Sequence, residues 1–455
     1  MSSINIEILN NMKIENIRIN NFRCFKEFQV RFTSGATVFI GKNGAGKTSI
    51  LNAIRYALSV FFSNDKSMGE NVLCAGNPDL KVITTVPSDF YRGKNEDMSS
   101  LDLSIEIDAK FNSRPLNWEF YKKSTSGASL YPSKYQDAYR AFMKEYKESD
   151  LLPLFVFYSD CFPHVDTRVS DFANKAIQDQ GYIIRNFAYY KWNSEVSCTS
   201  IWQTRFINTL MKQSSLKEED TAVNKEIEYM KNKMIGFSKP VNDLYEEEYS
   251  FEITDFFPLL DVNNKANLYV RFKDGRDIQF DLLPAGYKRL YSIAFDLSYR
   301  LYILQMKNEK EPSGIAIIDE IDLHLHPSLE QEALIRFRRT FPKVQFIVST
   351  HSPAVLANLK KEREDNVIYD MKAEQTQPEE LPDIYGLDYT TTMYNFMNTP
   401  RPENEVREEK DAIIRLLRLE KLDLAQKRKD QLKKMVDEKR YNQIIEEIET
   451  IVSDN

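Results

Sequence analysis

Residues 41–48 have the sequence Gly41-Lys42-Asn43-Gly44-Ala45-Gly46-Lys47-Thr48. The four residues before them, 37–40, are β-branched or aromatic and predict a strand, and the residues after them place apolar side chains on one helical face. This is the G-x-x-x-x-G-K-T pattern in its required context of strand before and helix after. It predicts an α/β fold with a phosphate-binding loop.

Different groups of this loop are expected to make different contacts with the ligand. The backbone N–H groups from Asn43 to Gly46, with Gly44 and Ala45 between them, present unpaired donors and the positive end of a helix dipole to phosphate. Lys47 is expected to reach the β- and γ-phosphates, and the hydroxyl of Thr48 to hold Mg²⁺. The expected cofactors are therefore ATP and Mg²⁺.

A second motif lies far along the chain, where the apolar run 314–318 ends in Asp319 and Glu320. An all-apolar strand is typical of the centre of a parallel sheet, whose carboxyl edge binds ligands. Asp319 is expected to accept from the Mg²⁺ shell. Glu320 is expected to orient or deprotonate a water that attacks the γ-phosphate.

Three of the four histidines, His324, His326 and His351, lie within 28 residues of one another. Zinc coordination is the weaker alternative, because their spacing matches no helical i, i+4 ligand pair. His351 ends a second buried strand, 345–349, and is expected to contact the γ-phosphate or the attacking water. His324 and His326 are expected to shape the loop after the carboxylates.

The composition excludes several classes of protein. A chain that is 42% hydrophobic and 28% charged is an ordinary soluble one, long enough for two or three packed units. The apolar run 151–158 is interrupted by Pro153, so no membrane span or membrane partner is expected. No secretory signal is visible, and four widely spaced cysteines indicate reduced thiols in a cytoplasmic protein. The net charge of −7 argues against a wholly basic nucleic-acid coat.

The spacing of the motifs predicts an interrupted head, because 272 residues separate Lys47 from Asp319. Helical stretches are expected at 135–147 and 218–249, and a strand pair turning at Asp274-Gly275 within 268–281. The predicted division is an N-terminal lobe with the phosphate loop (12–126), a helical insertion (127–248), a C-terminal lobe (249–375) and a helical partner-binding or oligomerisation region (376–455).

Together, four motifs resemble those of the ABC-type ATPases of the RecF/SMC/OLD lineage. They are Asn21-Phe22-Arg23, GKNGAGKTS at 41–49, Ile317-Ile318-Asp319-Glu320 with its LHLHP tail, and Ser349-Thr350-His351-Ser352-Pro353. The resemblance covers roughly 12–125 and 250–370. It implies a split nucleotide-binding head with a mixed sheet and flanking helices, and ATP sandwiched between two subunits of a homodimer or higher oligomer.

The resemblance also adds site residues. By composition alone Arg23 reads as a solvated charge on an edge strand, whereas the resemblance places Arg23 and Ser49 beside the nucleotide. It implies a signature loop that acts in trans, for which Ala285, Gly286 and Lys288 are the expected residues.

This signature loop departs from the family pattern. Pro284 or Ala285 stands where serine is expected, and Tyr287 replaces the acid, so one hydroxyl donor to the γ-phosphate is lost. The resemblance therefore gives weaker support for a contact between this loop and the γ-phosphate. The family glutamine that links the phosphate site to the lobe interface has no assigned position.

The C-terminal residues reduce the number of families that the chain could resemble. From 403 to 455, 26 of 53 residues are charged, and apolar positions form narrow helical stripes. The basic stretch 427–440 is better explained as a solvated helix face than as a contact to a phosphate backbone, since acids interrupt it. The tail shows no cluster of acidic strand ends, so no in-chain nuclease of the OLD type is expected. The chain looks more like PtuA, the ATPase family of the Septu anti-phage systems, some of which accompany retrons.

The PtuA resemblance implies an HNH-type, PtuB-like effector nuclease as partner, and DNA or a retron nucleic acid as a further one. A PARIS-type defence ATPase is the near alternative and would bring a different effector. The leading hypothesis is an ATP-hydrolysing sensor or regulator subunit of an anti-phage complex that controls a nuclease held in trans. The alternative is a RecF-like DNA-repair ATPase without an effector. A transporter subunit is disfavoured by the long insertion.

Overall fold

The structure is a computed structural model. It describes residues 12–65, 71–75, 77, 80–93, 102–125, 130–162, 164–165, 185–193, 196–197, 199–215, 221–241, 250–305, 310–361, 365–397 and 405–453. The chain divides into two compact units, Met1–Met397 and Asn398–Asn455, and each is treated by itself.

The first unit contains both strands and helices. Its strands are β1 Met12–Phe22, β2 Phe25–Arg31, β3 Ala36–Gly41, β4 Leu103–Phe111, β5 Arg114–Lys122, β6 Leu154–Tyr158, β7 His164–Val165, β8 Val196–Ser197, β9 Ile253–Leu260, β10 Ala266–Phe272, β11 Asp277–Gln279, β12 Gly314–Ile318, β13 Val344–Ser349, β14 Asn366–Met371 and β15 Glu379–Glu380. Its helices are α1 Lys47–Leu58, α2 Gln136–Ser149, α3 Thr199–Ser215, α4 Thr221–Ser238, α5 Ala285–Gln305, α6 Pro327–Thr340, α7 Pro353–Ala357 and α8 Tyr389–Asn395.

The central sheet has the strand order β15-β14-β3-β13-β12-β6. Its five neighbouring strands from β14 to β6 are parallel, and β15 is antiparallel at one edge. Strands β6, β12, β13 and β14 are buried at every position, as parallel strands covered on both faces must be. The strand before the phosphate loop and the strand before the carboxylates thus share one sheet, and the predicted α/β split head is confirmed.

The segment predicted as a helical insertion is not wholly helical. Its strand β6 pairs in parallel with β12, with Val156 opposite Ala316. The apolar run 154–158 is buried on both faces, so it completes the central sheet. Helix α2 agrees with the predicted helix at 135–147. Helix α4 lies within the predicted 218–249, of which 218–220 and 242–249 are outside the described residues.

Two antiparallel sheets complete the first unit. In the sheet β2-β1-β4-β5, strand β1 lies between β2 and β4, so the edge position suggested by its composition is wrong. The sheet β11-β10-β9 contains the predicted strand pair, whose turn at Gly275 has a φ of 86°. The lobe boundaries themselves stay a prediction.

The second unit is a group of three helices, α9 Glu405–Arg418, α10 Leu422–Met435 and α11 Glu438–Ser453. They bury a small common core of Ile413, Leu432, Ile444 and Ile448. The helical C-terminal region was predicted from 376, but β15 and α8 belong to the first unit. Within the described ranges, no helix has the length and hydropathy that a membrane-spanning segment requires.

Candidate functional site

The phosphate loop follows the last residue of β3 and so lies at the carboxyl edge of the central sheet. In that sheet β3 lies between β13 and β14. Helix α1 begins at Lys47, and its N-cap Gly46 has a φ of 104°. A Cβ at Gly46 would lie 2.7 Å from Cζ of Phe25, and the positive φ would strain any other residue. The loop therefore keeps its backbone open for a ligand, with Asn43 and Gly44 exposed and Ala45 buried beneath them.

Lys47 is drawn into the loop and is 7% exposed. Its Nζ donates to the carbonyl oxygens of Gly41 at 2.8 Å and Lys42 at 3.3 Å. Burial lowers the pKa of Lys47, and the nearby carboxylates of Asp319, Glu320 and Asp322 oppose that shift. The phosphate loop and the acidic strand end are therefore brought together. The side chain of Thr48 is exposed at the start of α1, where its hydroxyl is accessible.

Asp319 is a buried carboxylate, 3% exposed, at the end of β12. Because β13 lies beside β12, Ser349 reaches it, and its Oγ donates to Asp319 Oδ1 at 2.5 Å. The same Oγ accepts from the backbone N–H of Glu320 at 2.8 Å. On the other side, the N–H of Asp319 donates to the carbonyl of Tyr158 in β6 at 2.8 Å. Both neighbouring strands thus fix the position of this carboxylate.

Glu320 has a left-handed backbone, with a φ of 50°. Arg289 of α5, which is 1% exposed, stabilises this conformation by donating to the carbonyl oxygens of Asp319 at 2.8 Å and Glu320 at 3.2 Å. Burial raises the pKa of Glu320, the charge of Asp319 adds to the rise, and His351 opposes it. A carboxylate with a raised pKa is suited to accept a proton from water.

The backbone of His351 is fixed at the end of β13 while its side chain is exposed. Its N–H donates to both carboxylate oxygens of Asp322, at 3.3 and 3.2 Å, and Thr350 Oγ1 donates to Asp322 Oδ1 at 2.6 Å. The electrostatic interaction between His351 and Glu320 shows that the two side chains share one region. The predicted histidine and the predicted glutamate are therefore brought together.

The two other histidines of the cluster, His324 and His326, lie in the loop between Glu320 and α6. His324 has a φ of 65°, and His326 is the N-cap of α6, where its Nδ1 accepts from the N–H of Ser328 at 3.4 Å. Among the described residues, no three His, Cys, Asp or Glu side chains are grouped as a metal site. A cation here would need other ligands as well, such as the Thr48 hydroxyl and phosphate oxygens.

Arg23 lies in the turn between β1 and β2 with a φ of 51°. Its Nε donates to the buried carboxylate of Asp89 at 3.1 Å, which also accepts from the hydroxyl of Tyr56 at 2.7 Å. The next residue, Cys24, is hydrogen-bonded to Ser49 of α1. The turn that carries Arg23 therefore lies against the first turn of the phosphate-loop helix.

The predicted signature residues begin α5, as the sequence indicated. Ala285 is exposed, whereas Gly286 is buried against the acidic loop, where a Cβ would lie 2.7 Å from the carbonyl oxygen of His324. The Nζ of Lys288 donates to the carbonyl of Asp281 at 2.8 Å. In their own chain, Gly286 thus packs against the loop that follows Glu320, and Lys288 holds the segment that precedes α5.

Four residues of this site had no role assigned from the sequence: Asp89, Arg289, Asp322 and Ser349. Their contacts join segments that lie 28 to 130 residues apart, so no local pattern could show them. A signal did exist for Arg289. It directly precedes the mostly apolar stretch 290–295 of α5, and an arginine that is buried there needs several acceptors.

The chain is similar to known ATPases. The profile of the AAA ATPase domain family matches residues 12–152 and 173–356. The retron Vc95 probable ATPase of Vibrio cholerae serotype O1 biovar El Tor is 26% identical over 403 residues, which cover 78% of this chain and 74% of that protein. The Septu protein PtuA of Bacillus mycoides strain KBAB4 is 25% identical over 76% of this chain but only 39% of its own length. Among solved structures, the SMC head domain from Thermotoga maritima covers 81% of this chain with 13% identity and a TM-score of 0.39.

Proposed function

The chain belongs to the AAA ATPase domain family and is an ATPase, and from that premise we propose that it regulates an effector nuclease in an anti-phage defence complex. The observation that supports the proposal is its similarity to a retron ATPase over about three quarters of both chains. The similarity to a Septu PtuA protein supports it as well. ATP binding and hydrolysis would then switch the complex between two states.

Residues of the phosphate loop fit a nucleotide. In our proposal the backbone from Asn43 to Gly46 binds the phosphates and Lys47 neutralises the β- and γ-phosphates. The first turn of α1 contributes the Thr48 hydroxyl and the neighbouring Ser49. The open loop backbone and the buried ammonium beside three carboxylates are the observations that support this fit. Arg23 is proposed to reach the nucleotide from its turn, with Asp89 orienting its guanidinium.

The acidic strand end is proposed to hold Mg²⁺ and the attacking water. Mg²⁺, held by Thr48 and Asp319, would supply charge neutralisation to the phosphates. Glu320 would take a proton from the water, which its raised pKa favours. His351 would approach the same water or the γ-phosphate from the end of β13.

We propose that the start of α5 acts on the nucleotide of a second subunit. Ala285 is exposed there, and Gly286 leaves the helix start free of a side chain. In its own chain, the same helix contacts the backbone of Glu320 through Arg289. A homodimer joined by ATP would thus couple the contact between subunits to the catalytic carboxylate.

The second unit is proposed as the partner-binding or oligomerisation region. The turn between α9 and α10 exposes Leu419 to 63%, and the first turn of α10 exposes Leu422 and Leu424 to 65% and 48%. Three exposed leucines within six residues are unusual for a surface that contacts only water. A protein surface of the effector is the proposed occupant, and DNA or a retron nucleic acid is a further proposed ligand of the complex.

The proposed function can be tested by purifying the tagged chain, expressed from its own chromosomal locus, and identifying bound proteins by mass spectrometry. A nuclease in stoichiometric amount is expected. A variant with Leu419, Leu422 and Leu424 changed to serine should lose that nuclease and keep its ATPase rate. Purification of the chain without any nuclease would contradict the proposal. A RecF-like repair ATPase would instead make deletion strains sensitive to DNA damage without phage.

Changing Ser349 to alanine is expected to raise the Mg²⁺ concentration that gives half-maximal ATPase activity by about tenfold, since partners that orient a metal ligand typically contribute 10- to 100-fold. The change removes the donor to Asp319 and the acceptor of the Glu320 N–H. ATPase rates are measured against Mg²⁺ concentration. Ser298→Ala, which removes another buried hydroxyl, within α5, is the control. Equal Mg²⁺ dependence in both variants would count against the Asp319 site.

The ATPase rate is expected to fall on acidification at a higher pH than the roughly 4.3 of a free glutamate. Burial and Asp319 raise the pKa of Glu320, and only its ionised form accepts a proton, so activity is lost as pH falls through the raised pKa. His351→Gln removes an opposing charge and should move this loss to still higher pH. The kcat is measured from pH 5 to 8, with His326→Asn, which keeps a helix cap, as control. An unmoved profile in His351→Gln would contradict the assignment.

A further inference from the structure

Strand β5 carries a lysine where its pattern requires an apolar residue. Side chains alternate between the two faces of a strand, so Leu116, Trp118 and Phe120 share one face, and they are at most 3% exposed. Lys122 continues that face and is 8% exposed. Its neighbour Lys123 points the other way and is exposed. The side chain at 122 therefore lies largely within the protein.

Lys122 takes part in no ion pair in the part of the chain that the structure describes. No hydrogen bond or ion pair of its Nζ is found there, although lysine is seldom buried without a partner. The ammonium group is thus available to a ligand from outside the chain.

The side chain of Lys122 lines a cavity of about 300 Å³. The polar part of its wall includes Ser63 and Tyr135, whose hydroxyl oxygens are 3.2 Å apart, and Thr85. The apolar part includes Phe120, Ile83 and Leu130. Asp65 also lines the cavity but takes part in an interaction of its own. The lining thus combines one cation, one carboxylate, several hydroxyls and an aromatic ring.

We propose that this cavity is a binding site for a small organic anion. Lys122 binds its carboxylate or phosphate group, the hydroxyls of Ser63, Thr85 and Tyr135 bind further oxygens, and its apolar body lies against Phe120. The site lies beyond the C-terminal end of α1 and contains none of the residues assigned to ATP. It is therefore a second ligand site, independent of the proposed control of a nuclease.

The proposal can be tested by isothermal titration calorimetry of the full chain with benzoate and phenyl phosphate, with benzamide as the neutral match. The nucleotide site is filled with excess Mg-ADP so that phenyl phosphate cannot enter the phosphate loop. Both anions are expected to bind at millimolar or lower concentration. Lys122→Met should weaken binding at least tenfold, while Lys123→Met leaves it unchanged. Absence of binding by both anions, or binding that survives Lys122→Met, overturns the proposal.

A second measurement does not depend on the choice of probe. Without ligand, Lys122→Met replaces an unpaired ammonium with an apolar side chain of similar length on an apolar strand face. Its melting temperature is expected to rise by a few degrees above that of the wild type, whereas that of Lys123→Met should not change. A lower melting temperature in Lys122→Met would show that the ammonium group has a structural partner, which contradicts a ligand site.

Discussion

Replacing Lys47 with alanine is expected to lower the affinity for ATP by about ten- to a hundredfold. A charge-assisted hydrogen bond contributes roughly 1.5 to 3 kcal/mol, and each 1.4 kcal/mol corresponds to about tenfold in affinity. The ammonium group of Lys47 is held at the mouth of the loop by the carbonyl oxygens of Gly41 and Lys42. In the proposed site this group neutralises the β- and γ-phosphates, and the other cation of the loop, Lys42, has an exposed side chain that is not expected to replace it.

Binding is measured by calorimetry with Mg-ATP, and the fold of the variant is checked by circular dichroism. Lys42→Ala is the matched control, because Lys42 lies in the same loop with an exposed side chain. It should change the affinity only slightly. A Lys47→Ala protein that is folded and binds ATP as the wild type does would refute the phosphate loop.

Replacing Glu320 with glutamine is expected to slow hydrolysis by about 100- to 10,000-fold, the usual contribution of a general base. Glutamine keeps the shape of the side chain but cannot accept the proton. The backbone contacts from Arg289 and Ser349 do not involve the changed group, so ATP affinity should be retained. The variant should therefore remain in the ATP-bound state, with dimers that persist.

Single-turnover hydrolysis and size-exclusion chromatography with Mg-ATP measure these two effects. Glu27→Gln is the control, since Glu27 is an exposed carboxylate in β2 and the substitution is of the same kind. It should hydrolyse ATP at nearly the wild-type rate. Wild-type turnover in Glu320→Gln would remove Glu320 from its proposed role.

The parts of the fold that depend on local sequence were predictable. The phosphate loop, the apolar strand before Asp319 and the turn at Asp274-Gly275 are short patterns in which a few neighbouring residues determine the backbone. The start of the helix at Ala285 was likewise predictable from a few neighbouring residues. The sequence therefore indicated the split head and the residues at its carboxyl edge.

What the sequence did not show depends on pairing between distant segments. The apolar run 154–158 could have been a core segment of an insertion, and only its pairing with β12 makes it a strand of the central sheet. In the same way, Ser349 contacts Asp319 because β13 lies beside β12. Arg23 alone looked like a surface charge, and its partner Asp89 lies 66 residues away.

The most direct test of the central claim is DNA cleavage by the purified complex in defined nucleotide states. The complex is prepared with wild-type chain, with Lys47→Ala and with Glu320→Gln, each with and without Mg-ATP. Nuclease activity is expected to differ at least tenfold between the ATP-bound Glu320→Gln complex and the nucleotide-free Lys47→Ala complex, with the wild type changing over time as ATP is consumed. Equal cleavage in every nucleotide state would contradict control of the nuclease by this ATPase.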